Sequence, residues 1–230
     1  MNKMTSVFNE TIQKLQKAEK FFLTESALVL NGITIQPKEI EVYYYERGVF
    51  EDESVHRNDL QKRNKNHFYV HRCGTKSSDS YKGGNYAGID YVVSDTEDVY
   101  FSYLIRSALV NDEMAIGPHK VLEAIKKYSH LEYKDIENSV VEVLPHHVFD
   151  EVMFSSRIRL GKTVCEEYKT CKLRAVLCDN FFRDSGYPGK ERLVIDFLTG
   201  KVHAHSMSKE QASQFAKDNL GYIPSAIKSL

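Results

Sequence analysis

Glu39-Ile40-Glu41-Val42-Tyr43-Tyr44 and Val99-Tyr100-Phe101-Ser102-Tyr103-Leu104-Ile105-Arg106 are the stretches on which the fold turns. In a strand, successive side chains face opposite ways. Glu39, Glu41 and Tyr43 therefore share one side of the first stretch, and Ile40, Val42 and Tyr44 the other. The second stretch is apolar at almost every position, as a strand covered on both faces requires, and Arg106 is its one charge. Taking a guanidinium out of water costs roughly several kcal/mol unless an anion answers it. Glu41 is one candidate partner for Arg106, and a ligand phosphate is another.

Outward from this pair, Phe8, Ile12, Leu15, Ala18 and Phe22 recur at helical spacing and predict a short amphipathic helix within residues 1–24. Strands are expected at 27–30, 33–35 and 39–44, the first two joined by the hairpin signal Asn31-Gly32, which gives an antiparallel meander. Residues 46–65 read as a charged loop carrying His56, which leads into a strand at 67–71 ending in His71. The turn-rich stretch 74–85 is either a phosphate contact or an ordinary surface loop. The strand at 86–93 that follows brings Asp90 beside it, which makes Asp90 a candidate substrate-binding residue.

Further along, Gly117-Pro118 opens a helix through Val121, Leu122, Ile125 and Tyr128. Residues 140–148 read as strand and turn; the adjacent His146 and His147 face opposite ways and make a poor pair of ligands for one metal. A basic strand is expected at 156–161, with Arg157 and Arg159 on one face, where they could meet phosphate or nearby acids. Then come a strand at 173–177 and a hairpin of 193–198 with 201–205, turned by Thr199-Gly200. Ser208 with Gln211 three residues on marks a capping box, opening a C-terminal helical segment within 206–230.

The chain has 230 residues, is 42% hydrophobic and carries a formal net charge of -1, so it can bury a full core but has no overall positive field of the kind a dedicated nucleic-acid binder shows. Its four cysteines, Cys73, Cys165, Cys171 and Cys178, contain no Cys-x-x-Cys pair and read as reduced thiols rather than a zinc site. No stretch reaches the ~18 apolar residues of a spanning helix, and the polar N-terminus argues against secretion, so a cytoplasmic protein without membrane association is expected.

The order Glu-x-Glu-x-Tyr strand, acidic loop with histidine, aromatic strand, Leu104-Ile105-Arg106-Ser107-Ala108, and finally Arg157-Ile158-Arg159-Leu160-Gly161 followed by Leu173-Arg174-Ala175-Val176 resembles the alkyladenine (3-methyladenine) DNA glycosylases. The resemblance covers roughly residues 28–177. It implies an α+β fold, a single mixed domain over 1–230 built on a curved, barrel-like antiparallel sheet with surrounding helices. It also implies a monomer needing neither metal nor cofactor, whose partner is nucleic acid, DNA foremost, or a nucleotide. The activity implied is hydrolysis of the N-glycosidic bond of a damaged or modified purine extruded from the duplex, as in base excision repair. Glu41 matches the family's water-activating acid and Arg106 the arginine that positions water and carboxylate. Tyr43 and His56 match residues lining the base pocket, and His71 stands where the family places a second stacking tyrosine.

The chain departs from that pattern in two places. The link from Tyr43 to His56 is longer than the family's, and the duplex-wedging tyrosine-glycine hairpin has no clear counterpart, Tyr81 and Tyr86 being the candidates. Two other functions stay open: a non-catalytic module that binds a modified base or nucleotide, and a hydrolase of small nucleosides or nucleotides, which the neutral charge favours.

Overall fold

The structure is a computed structural model and describes residues 3–73, 80–184 and 186–230. Its spine is the antiparallel pair of β2 (Ile33–Glu46) and β6 (Val99–Val110), in register from Ile35 opposite Val110 to Glu46 opposite Val99. The expected strands at 33–35 and 39–44 are thus one strand. Pro37, which has no N–H to give, sits in it where the register shifts between Pro37 and Ile40, a bulge that tolerates the missing donor and bends the strand.

The second edge of β2 is shared by three strands in succession. β1 (Ser26–Leu30) pairs its start, β10 (Arg174–Leu177) pairs Glu39 to Glu41, and the short β3 (Phe50–Glu51) pairs its end. The sheet curls into a half-barrel. Outside β6 lie β5 (Ile89–Val92) and then β4 (Phe68–Val70); β7 (Glu113–Ile116) folds back on the end of β6. β8 (Glu142–Pro145) is the edge beyond β1, and β9 (Val152–Ser155) the edge beyond β10. Asn31 (φ 47°) and Gly32 (φ 79°) form the turn between β1 and β2, as a two-residue hairpin with both central residues at positive φ demands.

Helix α1 (Lys3–Glu25) fills the stretch expected to be helical, and its apolar stripe follows β2 across the sheet and buries Leu15, Phe22 and Leu23. Helix α2 (Pro118–Ser129) opens at its proline and buries Val121, Leu122 and Ile125 on the same core. Short helices follow at α3 (Tyr133–Asn138), α4 (Glu166–Thr170) and α5 (Asn180–Asp184), none of which the sequence pattern marked. A second core lies over β9 and β10, where Met153 and Val176 meet α5, α6 (Lys190–His203), α7 (Lys209–Leu220) and α8 (Ser225–Lys228). The architecture is α+β, one curled antiparallel sheet with helices around it.

Three expected strands, the two of the 193–205 hairpin and the basic one at 156–161, are not strands. Residues 193–205 belong to helix α6 and the end that follows it, because buried Leu193, Val194, Phe197 and Leu198 follow an i, i+1, i+4, i+5 spacing that outweighs the Thr199-Gly200 turn signal and the cost of about 1 kcal/mol for a helical glycine. Residues 156–161 are irregular; β9 stops at Ser155 and Arg159 takes φ 58°, which no strand accommodates. Of the 74–85 stretch, 74–79 lie outside the described residues; its remainder holds a bridge from Arg72 to Tyr81 and a 3-10 turn at Gly84–Tyr86.

The capping box at α7 is realised in full: the Ser208 hydroxyl accepts from the Gln211 N–H at 3.2 Å, and the Gln211 side chain accepts from the Ser208 N–H at 2.9 Å. Ser208→Ala is therefore expected to lower unfolding free energy by about 1 kcal/mol, read as a lower urea midpoint at unchanged m-value.

Candidate functional site

Strand register sets the site. Tyr69 on β4 lies opposite Asp90 on β5, Asp90 opposite Leu104 on β6, Leu104 opposite Glu41 on β2, and Glu41 opposite Arg174 on β10. Residues directly opposite one another share a face, so this row is continuous across one face of the sheet. With neighbouring strands ~4.8 Å apart, the backbones of Glu41 and Asp90 stand about 10 Å apart. Over this row opens a cleft of about 670 Å³, lined by Tyr43, His56, His71, Asp90, Leu104 and Arg106, and closed on another side by 158–161.

Glu41 lies just behind this wall, fully buried. Its Oε1 accepts from the Ile158 N–H at 2.9 Å; its Oε2 accepts from Arg106 Nη1 at 3.3 Å and from the Tyr43 hydroxyl at 3.3 Å. The partner of Arg106 is thus carboxylate rather than phosphate, and there are two of them: Arg106 Nε also donates to Glu39 Oε1 at 3.2 Å. Glu39 in turn accepts from Arg174 Nε at 2.8 Å and from the Ser107 hydroxyl at 2.7 Å, and pairs with Arg174 Nη2 at 2.7 Å. The buried series Glu41, Arg106, Glu39, Arg174 alternates in sign and sums to zero.

Tyr43 lies against Arg157, whose guanidinium carbon is 5.1 Å from its ring centre. Burial first, then the charge of Glu41, pushes the Tyr43 hydroxyl far up, so it stays a donor. Arg157 and Arg159 do not share an exposed face. Arg157 is buried and pairs with Asp52 at 2.6 Å, while donating to the Val42 carbonyl and the Ser54 hydroxyl, each at 3.0 Å. Arg159 is exposed at the cleft. Through Asp52 the charged segment 46–65 is clamped to the sheet, which is what carries His56 into the site despite the length of the link.

The facing wall is a hydrogen-bonded network. His56 Nε2 lies 3.1 Å from Lys82 Nζ and Nδ1 lies 3.0 Å from the Tyr69 hydroxyl. An ammonium only donates, so Nε2 is the acceptor and Nδ1–H the donor. Burial, then His71 and Lys82, pull His56 down to about 4, which leaves it neutral at physiological pH. Burial also pulls Lys82 down from its ordinary value. His71 Nε2 lies 2.7 Å from Asp90 Oδ1, and Asp90 Oδ2 accepts from the Ser102 hydroxyl at 2.8 Å and Gln61 Nε2 at 3.1 Å. Burial alone would raise Asp90; His71 and the hydroxyl outweigh it and hold the carboxylate below its usual range.

Gln61, Ser102, Lys82 and Asp52 are the residues that sequence reading missed. One signal was there: Asn58 and Gln61 form a capping box around a 3-10 turn, with the spacing that located Ser208 and Gln211. Of the two candidate wedge tyrosines, Tyr81 is held over Arg72 and donates to Glu137 at 2.8 Å, whereas Tyr86 is 82% exposed at the cleft. His147 is engaged with Glu25 on the surface, and no group of three or more metal-ligating side chains occurs among the described residues. No protein-family model matches this chain, and no curated protein does.

Two outcomes follow from these charges. Arg174→Met leaves Glu39 short of a buried partner and should cost about 3 kcal/mol in urea unfolding. His56 and Asp90 are both depressed in the folded state, so each contributes stability that is present above its unfolded value and lost as pH falls through the folded one. Stability should decline from about pH 6.5 toward pH 4. His56→Gln should flatten that part of the profile, and an unchanged slope would show that His56 titrates normally.

Proposed function

We propose that this protein hydrolyses the N-glycosidic bond of a modified purine in nucleic acid, with Glu41 as the base that activates water and Arg106 as the group that positions it. The observation that carries this reading is the row from Glu41 to Asp90: a buried carboxylate, clamped by an arginine and set just behind Tyr43 and Arg106 on one wall of a cleft whose volume suits a nucleoside and whose other wall is a polar hydrogen-bonding network. An ionised carboxylate offers about four acceptor positions, and Glu41 receives three donors. One of these, the Tyr43 hydroxyl at 3.3 Å, is longer than an ordinary O–H···O bond of about 2.7 Å and is readily exchanged for a water.

In the reaction the water gives its proton to Glu41 while its oxygen bonds to C1′. The C1′–N bond breaks, and its electron pair leaves with the base. The transition state is oxocarbenium-like, and the negative charge of Glu41 stabilises it without reorganisation. Tyr43 and His71 flank the base. Tyr86 at the rim is placed to fill the gap that an extruded nucleotide leaves, and Arg159 to meet a phosphate. We place the activity in the cytoplasm, in a monomer acting in base excision repair; the free thiols, of which Cys73 and Cys165 are exposed, support a reducing compartment.

The complete burial of Glu41 favours a second reading, a module that binds a modified base or nucleotide without cleaving it. Duplex and single-stranded oligonucleotides carrying hypoxanthine, ethenoadenine or 3-methyladenine, treated with alkali after incubation, separate the two. Hydrolysis predicts breaks with the wild type and a loss of at least about 100-fold in Glu41→Gln, with affinity nearly kept. Binding without breaks would support the module. Activity on free nucleosides, insensitive to salt, would point to a small-molecule hydrolase. Tyr86→Ser should slow cleavage of duplex more than of single strands, because it removes stacking worth about 1–3 kcal/mol; equal slowing would remove Tyr86 from duplex opening.

A further inference from the structure

We infer that Lys82 is a nucleophile: once the purine has left, its amine condenses with the aldehyde of the ring-opened sugar, and the resulting Schiff base breaks the strand on the 3′ side of the abasic site. This rests on the glycosidic reading above, whose product is that sugar. Hydrolysis at C1′ leaves a hemiacetal, and the open form of a hemiacetal is an aldehyde, which a primary amine attacks. Lysine supplies such an amine when it gives up its proton, whereas the guanidinium groups of Arg106 and Arg159 stay charged and do not.

Lys82 is the one lysine among the described residues that line the cleft. Its backbone is held on both sides: the Lys82 N–H donates to the His71 carbonyl at 2.8 Å, next to the bridge between Arg72 and Tyr81, and Gly83 opens the 3-10 turn that follows. Its side chain reaches the wall, where Nζ donates to His56 Nε2 at 3.1 Å. That acceptor is a neutral ring, itself tied through Nδ1 to the Tyr69 hydroxyl at 3.0 Å. An ammonium taken out of water is ordinarily answered by a carboxylate, as Lys38 is by Asp179 at 3.1 Å. Lys82 forms no ion pair among the described residues, and burial draws it down from its ordinary value, in favour of the free amine. Asp90 and the Cys73 thiol are the groups whose charge opposes that shift.

Placement sets the order of events. While the purine is bound, it lies between the amine and C1′. Its departure vacates that space, ring opening frees C1′ from O4′, and the long stem of Lys82 supplies the remaining reach. The chemistry then balances without oxidant or reductant. The lone pair of the neutral amine bonds to C1′, and the aldehyde oxygen leaves as water with one proton from the nitrogen and one from solvent, giving an iminium ion. The C2′ proton passes to solvent, and the 3′ phosphate departs with the electron pair of the C3′–O bond. Water then hydrolyses the conjugated iminium ion, releasing Lys82, an unsaturated aldehyde and a proton.

The test incubates an oligonucleotide carrying a preformed abasic site with wild type and with Lys82→Arg, in the presence of borohydride, which reduces the imine to a stable amine and joins protein to DNA. Peptide mass spectrometry of the wild-type adduct locates the joined residue and depends on no variant. The adduct should sit on Lys82, and without borohydride the wild type should cut the same oligonucleotide with no alkali added. Lys82→Arg keeps the charge but not the nucleophile, and should lose both trapping and cutting by at least about 20-fold, with circular dichroism checking that it is folded. An adduct on another amine, undiminished trapping in Lys82→Arg, or no adduct at all overturns the assignment. Excision of hypoxanthine, scored with alkali, is measured on the same preparations. A wild type that excises hypoxanthine yet traps nothing overturns the role of Lys82 alone; one that traps on Lys82 without excising supports the reactive amine and overturns the glycosidic reading.

Discussion

The alternation of Glu41, Arg106, Glu39 and Arg174 is the interaction on which the rest of this structure depends. Four charged side chains are buried on the curled sheet, and burying any one of them unpaired would cost several kcal/mol, roughly, against a total stability that for a domain is of similar size. They are tolerated because each cation touches the anions beside it. The bulge in β2 at Pro37 to Ile40 and the pairing of β10 with β2 are what bring Glu39 between the two arginines. A further acid lies close by: Glu19 on α1 is fully buried, and burial, followed by the charge of Glu41, raises it well above the usual carboxylate range. That direction favours the protonated form of Glu19 beside this set of charges.

Around this anchor the cleft is assembled from segments distant in sequence. The charged stretch between β2 and β4 would be a free loop on composition alone. Asp52 ties it to Arg157, Gln61 ties it to Asp90, and His56 ties it to Tyr69 and Lys82. One wall thus holds a carboxylate fixed by donors, and the other holds titratable groups fixed by one another. Such preorganisation lets electrostatic stabilisation act at a developing charge without a reorganisation cost.

Much of this was legible in the sequence because it follows local rules. Alternation in 39–44 put Glu39, Glu41 and Tyr43 on one side, and the apolar run ending in Arg106 announced a buried cation in need of an anion; the structure supplies two. The signals at Asn31-Gly32, Pro118 and Ser208 each landed on the element they implied. What was not legible is non-local or depends on competing local signals. Arg157 looked like a surface residue of a basic strand, because nothing in its neighbourhood reveals that Asp52, more than a hundred residues earlier, meets it in the core. The helical spacing of Leu193, Val194, Phe197 and Leu198 was overridden by a Thr199-Gly200 turn signal that the packing of α6 on β9 defeats. Lys82 and Gln61 join the site through contacts that span loops, which no periodicity encodes.

The central claim is that the cleft between Glu41 and Asp90 receives an extruded purine with its sugar over the carboxylate. A crystal structure of the Glu41→Gln protein with an oligonucleotide containing hypoxanthine tests it most directly. The account predicts the base between Tyr43 and His71, its C1′ on the side of residue 41 and its far edge toward Asp90. A base stacked in the helix, or bound outside this cleft, would contradict it.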